Sequence, residues 1–145
     1  MDTRPLPEDF ERRLGADLGG ITALAGDFAV WAARAGLAEQ DISRVSLVIE
    51  ELTTNVIVHG FAADGGWMRL RVTRREDRLA IELRDNAPPF DPFHVPMPSL
   101  TSDISERKVG GLGVHLIRTL MDEWGYVRED DQNVVSLGKR LGRRS

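Results

Sequence analysis

A glutamate and an asparagine stand four positions apart at Glu51 and Asn55, an isolated aspartate follows an alternating stretch at Asp85, and Gly110-Gly111-Leu112-Gly113 runs directly into Val114-His115-Leu116-Ile117. On a helix each residue advances about 100°, so Glu51 and Asn55 lie about 40° apart on one face, while Glu50 lies about 140° from Asn55 and is expected to face solvent. A carboxylate in that position can orient or deprotonate a hydroxyl nucleophile. The Asn side-chain oxygen is a hard, neutral ligand suited to Mg²⁺, an ion that keeps several waters and bridges phosphates. Asp85, at a strand end, can accept a hydrogen bond from an exocyclic amine such as that of adenine. A guanine would set its carbonyl against that acceptor, so selectivity follows from polarity. Glycines let the backbone approach phosphate, and the first amides of a helix are unpaired donors at the positive end of its dipole. Lys108, just ahead of the glycines, is the candidate cation for a γ-phosphate. No Gly-Lys-Ser/Thr follows, so the P-loop pattern is absent.

Each segment alone also has an ordinary reading: a surface Glu beside a helix-bordering Asn, a turn-forming Asp-Asn pair, a flexible hinge before a helix. Asn is roughly 0.6 kcal/mol poorer than Ala inside a helix, so Asn55 mildly asks for a reason. The weight lies in the order and spacing of the three segments, which depend on the elements that carry them.

Leu18 to Leu37 reads as a helix through Ile21, Leu24, Ala25, Phe28 and Trp31, with Gly36 as its stop. Asp41-Ile42-Ser43 is the expected cap of a second helix, whose stripe is Ile42, Val45, Val48, Ile49, Leu52 and Val56 and whose end lies near His59-Gly60. Met68, Leu70 and Val72 alternate with polar residues, as do Leu79, Ile81 and Leu83, giving an antiparallel hairpin turning within Arg74–Arg78. Five prolines between Pro88 and Pro98 forbid regular structure, and Asp91 to Val109 is expected as one long loop. Val114, Ile117, Leu120 and Met121 mark a third helix, and Trp124–Arg128 with Val134–Leu137 two closing strands around Asp130-Asp131. Hairpins separated by helices imply an α+β two-layer sandwich, one mostly antiparallel sheet with helices on one face, and exclude a Rossmann alternation.

The 145 residues, 41% apolar and 29% charged, fit one soluble globular domain. The absence of cysteine excludes disulfides and thiolate chemistry. Met1 to Glu11 lacks the apolar run of a signal peptide, and no stretch reaches the roughly 18 apolar residues of a membrane span. A net charge of −4 argues against nucleic acid as a partner; Lys139, Arg140, Arg143 and Arg144 read as a solvated end. The expected location is the cytoplasm, with no membrane contact.

Glu51-x-x-Thr54-Asn55 followed by His59-Gly60, the Asp85-Asn86-Ala87-Pro88-Pro89-Phe90-Asp91-Pro92 run and the glycines at 110–113 resemble, in that order, the nucleotide-binding boxes of the GHKL (Bergerat-fold) ATPase superfamily, and most of all its small stand-alone anti-sigma-factor serine/threonine kinases. The resemblance spans about Leu18 to Leu141, with residues 91–109 as the ATP lid of a single domain. It implies ATP and Mg²⁺ as cofactors, Glu51 as the catalytic base and Asn55 as the metal ligand. It implies nucleotide contacts from Asp85, Ala87, Lys108, Gly110, Gly111, Leu112, Gly113 and Val114. Ala87 and Pro89 stand where the larger superfamily has glycines, a variant similar to that of the small anti-sigma-type proteins, and this bears on ATP affinity. The family's Thr near adenine has Asn133 as its nearest counterpart, with Ser136 further on.

The resemblance implies a kinase that phosphorylates a STAS-type antagonist and sequesters a regulator such as a sigma factor. Three other readings stand beside it. A nucleotide-sensing binding switch with little or no turnover is favoured by the altered glycines. A histidine-kinase catalytic domain is opposed by the lack of a preceding helix pair with a phosphoacceptor histidine. A degenerate α+β domain is the last. Phe28 and Trp31 are accounted for by core packing, and homodimerisation stays open.

Overall fold

The computed structural model describes residues 7–15, 17–60, 66–94 and 111–142. Its elements run β1 (Phe10–Gly15), α1 (Gly19–Arg34), α2 (Glu39–Asn55), one π-helical turn (Val56–Gly60), β2 (Trp67–Arg75), β3 (Arg78–Asp85), a 3-10 turn (Pro92–His94), α3 (Gly111–Leu120), β4 (Glu123–Glu129) and β5 (Gln132–Arg140). The strands form one sheet in the order β1-β2-β3-β5-β4, every neighbouring pair antiparallel. The helices cover one face, because the inward residues of the strands (Met68, Leu70, Val72, Leu79, Ile81, Leu83, Val135, Leu137) share one core with Leu24, Phe28, Val45, Ile49, Leu52 and Ile117. This is the α+β sandwich the hairpin pattern implies.

Turn chemistry fixes the register. Glu76 (φ 54°) closes the β2–β3 hairpin, and Asp130 (φ 52°) and Asp131 (φ 59°) close β4–β5 in the left-handed region that two-residue hairpins demand. Helix α1 ends where Gly36 takes φ 82°. Leu37 N donates to Ala32 O at 3.0 Å and Gly36 N to Ala33 O at 3.1 Å, the paired bonds of a Schellman motif, with Leu37 and Ala32 both buried behind it.

Three expectations need correction. Helix α2 starts at Glu39 after Ala38, with no side-chain cap. Asp41 is instead buried inside its first turn, where a carboxylate favours the helix dipole and where its Oδ2 accepts from Gly142 N at 2.9 Å, tying down the far end of the chain. Strand β1 was not expected: only Phe10 of its six residues is fully buried, so this edge strand carries no alternation. It is held by its antiparallel pairing to β2 and by Phe10, whose ring meets Phe28 edge-to-face at 5.9 Å and Trp31 at 5.9 Å. Glu50 is less open than expected: it is half-buried like Glu51, although Ser43 and Leu47, which share its stripe of α2, are exposed.

Candidate functional site

A recess opens where the end of α2 meets the ends of β3 and β5. Leu52, Asn55 and Val56 line it from α2, Asp85 and Ala87 from β3 and the following turn, Phe90 and Pro92 from the start of the long loop, and Asn133 and Val135 from β5. The sheet register explains this convergence, since Asp85 pairs with Met68 on one side and Asn133 on the other.

Asn55 is 6% exposed, and its amide nitrogen is buried without a hydrogen-bond partner among the described residues. A buried donor left unmade costs about 1–3 kcal/mol, so the position is held against stability. It sits where α2 gives way to the π-helical turn, an irregularity that often marks functional sites because it breaks the regular hydrogen-bond ladder. Glu51 lies one turn earlier on the same side of α2 and outside the recess lining. The next residues are held firmly: Thr53 Oγ1 donates to Ile49 O at 2.7 Å.

Asp85 is 2% exposed. Its Oδ1 accepts from Ala87 N at 3.0 Å and Asn133 Nδ2 at 2.8 Å. Burial raises the Asp85 pKa above the ordinary carboxylate range, opposed by the Asn133 and Ala87 N–H groups and by the Arg128 charge. Asn133 is the hub of this corner. Its Nδ2 also reaches Pro88 O at 3.0 Å and Ala87 O at 3.3 Å, and its Oδ1 accepts from Phe90 N at 3.1 Å and from the Tyr126 hydroxyl. Arg128 donates to Ala87 O at 2.7 Å and to Asn133 Oδ1 at 3.3 Å. The Pro-Pro turn is therefore laced to β4 and β5, although its own residues can form no ladder.

Gly111, Leu112, Gly113 and Val114 form the first turn of α3, so their amides are the unpaired donors of a helix start, and α3 packs on α2. Lys108 and Gly110 lie outside the described residues, as does most of the expected lid. Its beginning makes the 3-10 turn Pro92–His94, where Pro92 suits a first helical position. Arg118 of α3 donates to Phe93 O there.

A family model described as a histidine kinase-like ATPase domain matches residues 14–139. The chain belongs to the histidine kinase-like ATPase family. This is the GHKL likeness that the three boxes carry. Among curated relatives of this histidine kinase-like ATPase, the serine-protein kinase RsbW of Bacillus cereus (strain AH187) is 28% identical over 137 residues, 88% of this chain and 82% of that protein. The serine-protein kinase RsbW of Halalkalibacterium halodurans is 34% identical over 114 residues, 76% of this chain and 69% of that protein. The fold is shared with the RsbU and RsbW domains of Rv1364c from Mycobacterium tuberculosis (TM-score 0.66, 17% identity, 95% of this chain and 34% of that chain). It is shared too with the catalytic domain of histidine kinase ThkA (TM-score 0.55, 13% identity, 92% and 95%).

Among the described residues of this histidine kinase-like ATPase, no three His, Cys, Asp or Glu side chains gather as a metal cage. Mg²⁺ carried on phosphates needs only one or two protein oxygens, and the buried Asn55 amide at the recess fits that donor set, since rotation of its terminal torsion presents either oxygen or nitrogen. No helix among the described residues is long and apolar enough to cross a membrane.

Tyr126 and Arg128 are residues that motif reasoning passed over. The available signal was Asn133 itself, a residue type depleted from strands placed beside an apolar run.

Proposed function

We propose that this histidine kinase-like ATPase domain is an ATP- and Mg²⁺-dependent serine/threonine protein kinase. The observation that carries the reading is the meeting of Asn55 and Asp85, from separate boxes, across one recess in a chain whose relatives are serine-protein kinases. In this reading Asp85 accepts from the adenine amine, with Ala87 beside it. The amides of Gly110, Gly111, Leu112, Gly113 and Val114, together with Lys108 from the lid, hold the phosphates. Asn55 holds Mg²⁺, which when bound neutralises charge developing on the phosphate oxygens. Glu51 accepts the proton of a Ser or Thr hydroxyl as its oxygen bonds to the γ-phosphorus. The bond from that phosphorus to the bridging oxygen breaks, and ADP leaves.

The acceptor in this reading is a small STAS-type antagonist protein, and the same domain sequesters a regulator such as a sigma factor until the antagonist competes for it. Both partners rest on the sequence resemblance. A second reading, nucleotide-gated binding with little turnover, draws on Ala87 and Pro89 in the positions of box glycines. Calorimetric titration of ATP with and without Mg²⁺, followed by transfer of the γ-phosphate to a purified STAS protein, tests both. Mg²⁺-dependent binding with transfer supports the kinase, and binding without transfer supports the switch. No binding removes both readings.

A further inference from the structure

The Asn133 side chain has no hydrogen-bonding capacity left for a ligand. An amide carries two N–H donors and one oxygen with two lone pairs. The donors are taken by Asp85 Oδ1 (2.8 Å), Pro88 O (3.0 Å) and Ala87 O (3.3 Å). The oxygen is taken by Phe90 N, the Tyr126 hydroxyl and Arg128. The resemblance sets this position against a threonine that touches adenine. Here a direct contact would require breaking bonds that are already made in a site 2% exposed.

We propose that Asn133 is a positioning residue for nucleobase recognition: it leaves the base untouched and holds the Asp85 carboxylate and the Ala87-Pro88 turn in the one arrangement that presents Asp85 Oδ2 to an exocyclic amine. The proposal rests on the nucleotide reading of the recess. Both hydrogen bonds to Asp85 from Ala87 and Asn133 end on Oδ1, which leaves Oδ2 for the ligand. In the larger superfamily glycines shape this turn. In this chain Ala87 and two prolines are held by an external clamp, with Tyr126 and Arg128 of β4 gripping Asn133 and Arg128 also gripping Ala87 O. Base selectivity is thus set through the β4–β5 hairpin.

The arrangement has a signature in pH. Among the described residues, the neutral Leu52, Asn55 and Val135 share the recess lining with Asp85, Met68 and Asn133 flank it in the sheet, and Arg128 of β4 is the cation that acts on it. Burial favours the protonated acid, and the Asn133 N–H counters it. A protonated Asp85 offers a donor where adenine needs an acceptor, so ATP binding falls as pH drops through the Asp85 pKa. Losing the Asn133 donor moves that acid edge to higher pH.

The test is calorimetric titration of Mg-ATP and Mg-GTP across pH with the wild type, Asn133→Ala, Asn133→Thr and Tyr126→Phe, each checked for folding by circular dichroism and thermal unfolding. Protonation of the adenine ring is common to all variants and cancels between them. The expected result is ATP affinity lowered about tenfold or more in Asn133→Ala and Asn133→Thr, in line with the loss of a hydrogen bond to a charged group. GTP affinity changes little, and the acid edge moves upward. Tyr126→Phe shifts the edge the same way by less, and decides the matter if the Asn133 variants do not fold. A threonine variant that binds ATP as tightly as wild type with an unmoved edge overturns the inference in favour of direct contact. Equal losses for ATP and GTP with an unmoved edge overturn it in favour of a structural role. A wild type that binds no ATP overturns the nucleotide reading as well, which separates the two failures.

Discussion

Asn55→Leu separates stability from function at a single side chain. The Asn55 amide nitrogen is buried with no partner among the described residues, and such a donor costs about 1–3 kcal/mol. Leucine has the same number of side-chain heavy atoms with the same branching, in a somewhat larger volume that the recess beside Leu52 and Val56 takes up, and is a better helix former by roughly 0.4 kcal/mol. Some of the gain is lost because the recess admits water, so the ligand-free variant should be more stable than wild type by about 1–2 kcal/mol. For a domain of this size that is a rise in Tm of about 2–8 °C. Urea and thermal unfolding without nucleotide measure the gain, and calorimetry with Mg-ATP measures the loss, expected to be complete. If Asn55→Leu proves less stable than wild type, the amide has a protein partner and the argument from the orphaned donor fails. If it binds Mg-ATP as wild type does, the metal role fails.

Glu51→Ala should keep ATP binding and lose phosphotransfer, whereas Glu50→Ala should be mild in a γ-phosphate transfer assay; a dead Glu50 variant would refute the choice of helix face. Asp85→Asn should weaken ATP binding and spare GTP binding, and equal losses would mark Asp85 as structural. Because the folded Asp85 pKa lies above the unfolded value near 3.8, its contribution to stability is fully present below that value and is lost as pH rises through the folded pKa. Asp85→Asn should flatten this part of the curve, measured by urea unfolding between about pH 4 and pH 7. Phe28, fully buried against Phe10 and Trp31, should cost about 3–5 kcal/mol when replaced by alanine, read as a lower urea midpoint.

What was legible in the sequence is what apolar periodicity can encode. Leu70 pairs with Leu83 and Val72 with Ile81 on the inner face that the two alternations mark out, and Gly36 ends α1 in the left-handed conformation that suits glycine. Strand β1 was not legible because most of it is edge backbone with exposed Glu11, Arg12 and Arg13; its pairing is a property of β2. The start of α2 was misread because Asp41 has a cap's chemistry but spends it on Gly142, 101 residues away. In the site, Asn55 and Asp85 stood out by type and position. The clamp of Tyr126, Arg128 and Asn133 did not, because it exists only once β4 and β5 are folded side by side.

The sheet order has a kinetic consequence. Residues 55, 85 and 133 meet only when β5 has been inserted between β3 and β4, a step that closes loops of tens of residues and is slow for that reason. A ligand that depends on all three residues finds no site in a chain in which β5 has not paired with β3. If that pairing completes after the folding barrier, the ligand lends nothing to the transition state and everything to the finished protein. Saturating nucleotide should leave the refolding limb of a chevron unmoved and slow only the unfolding limb, so that occupancy sets the lifetime of the fold and not the speed of its formation.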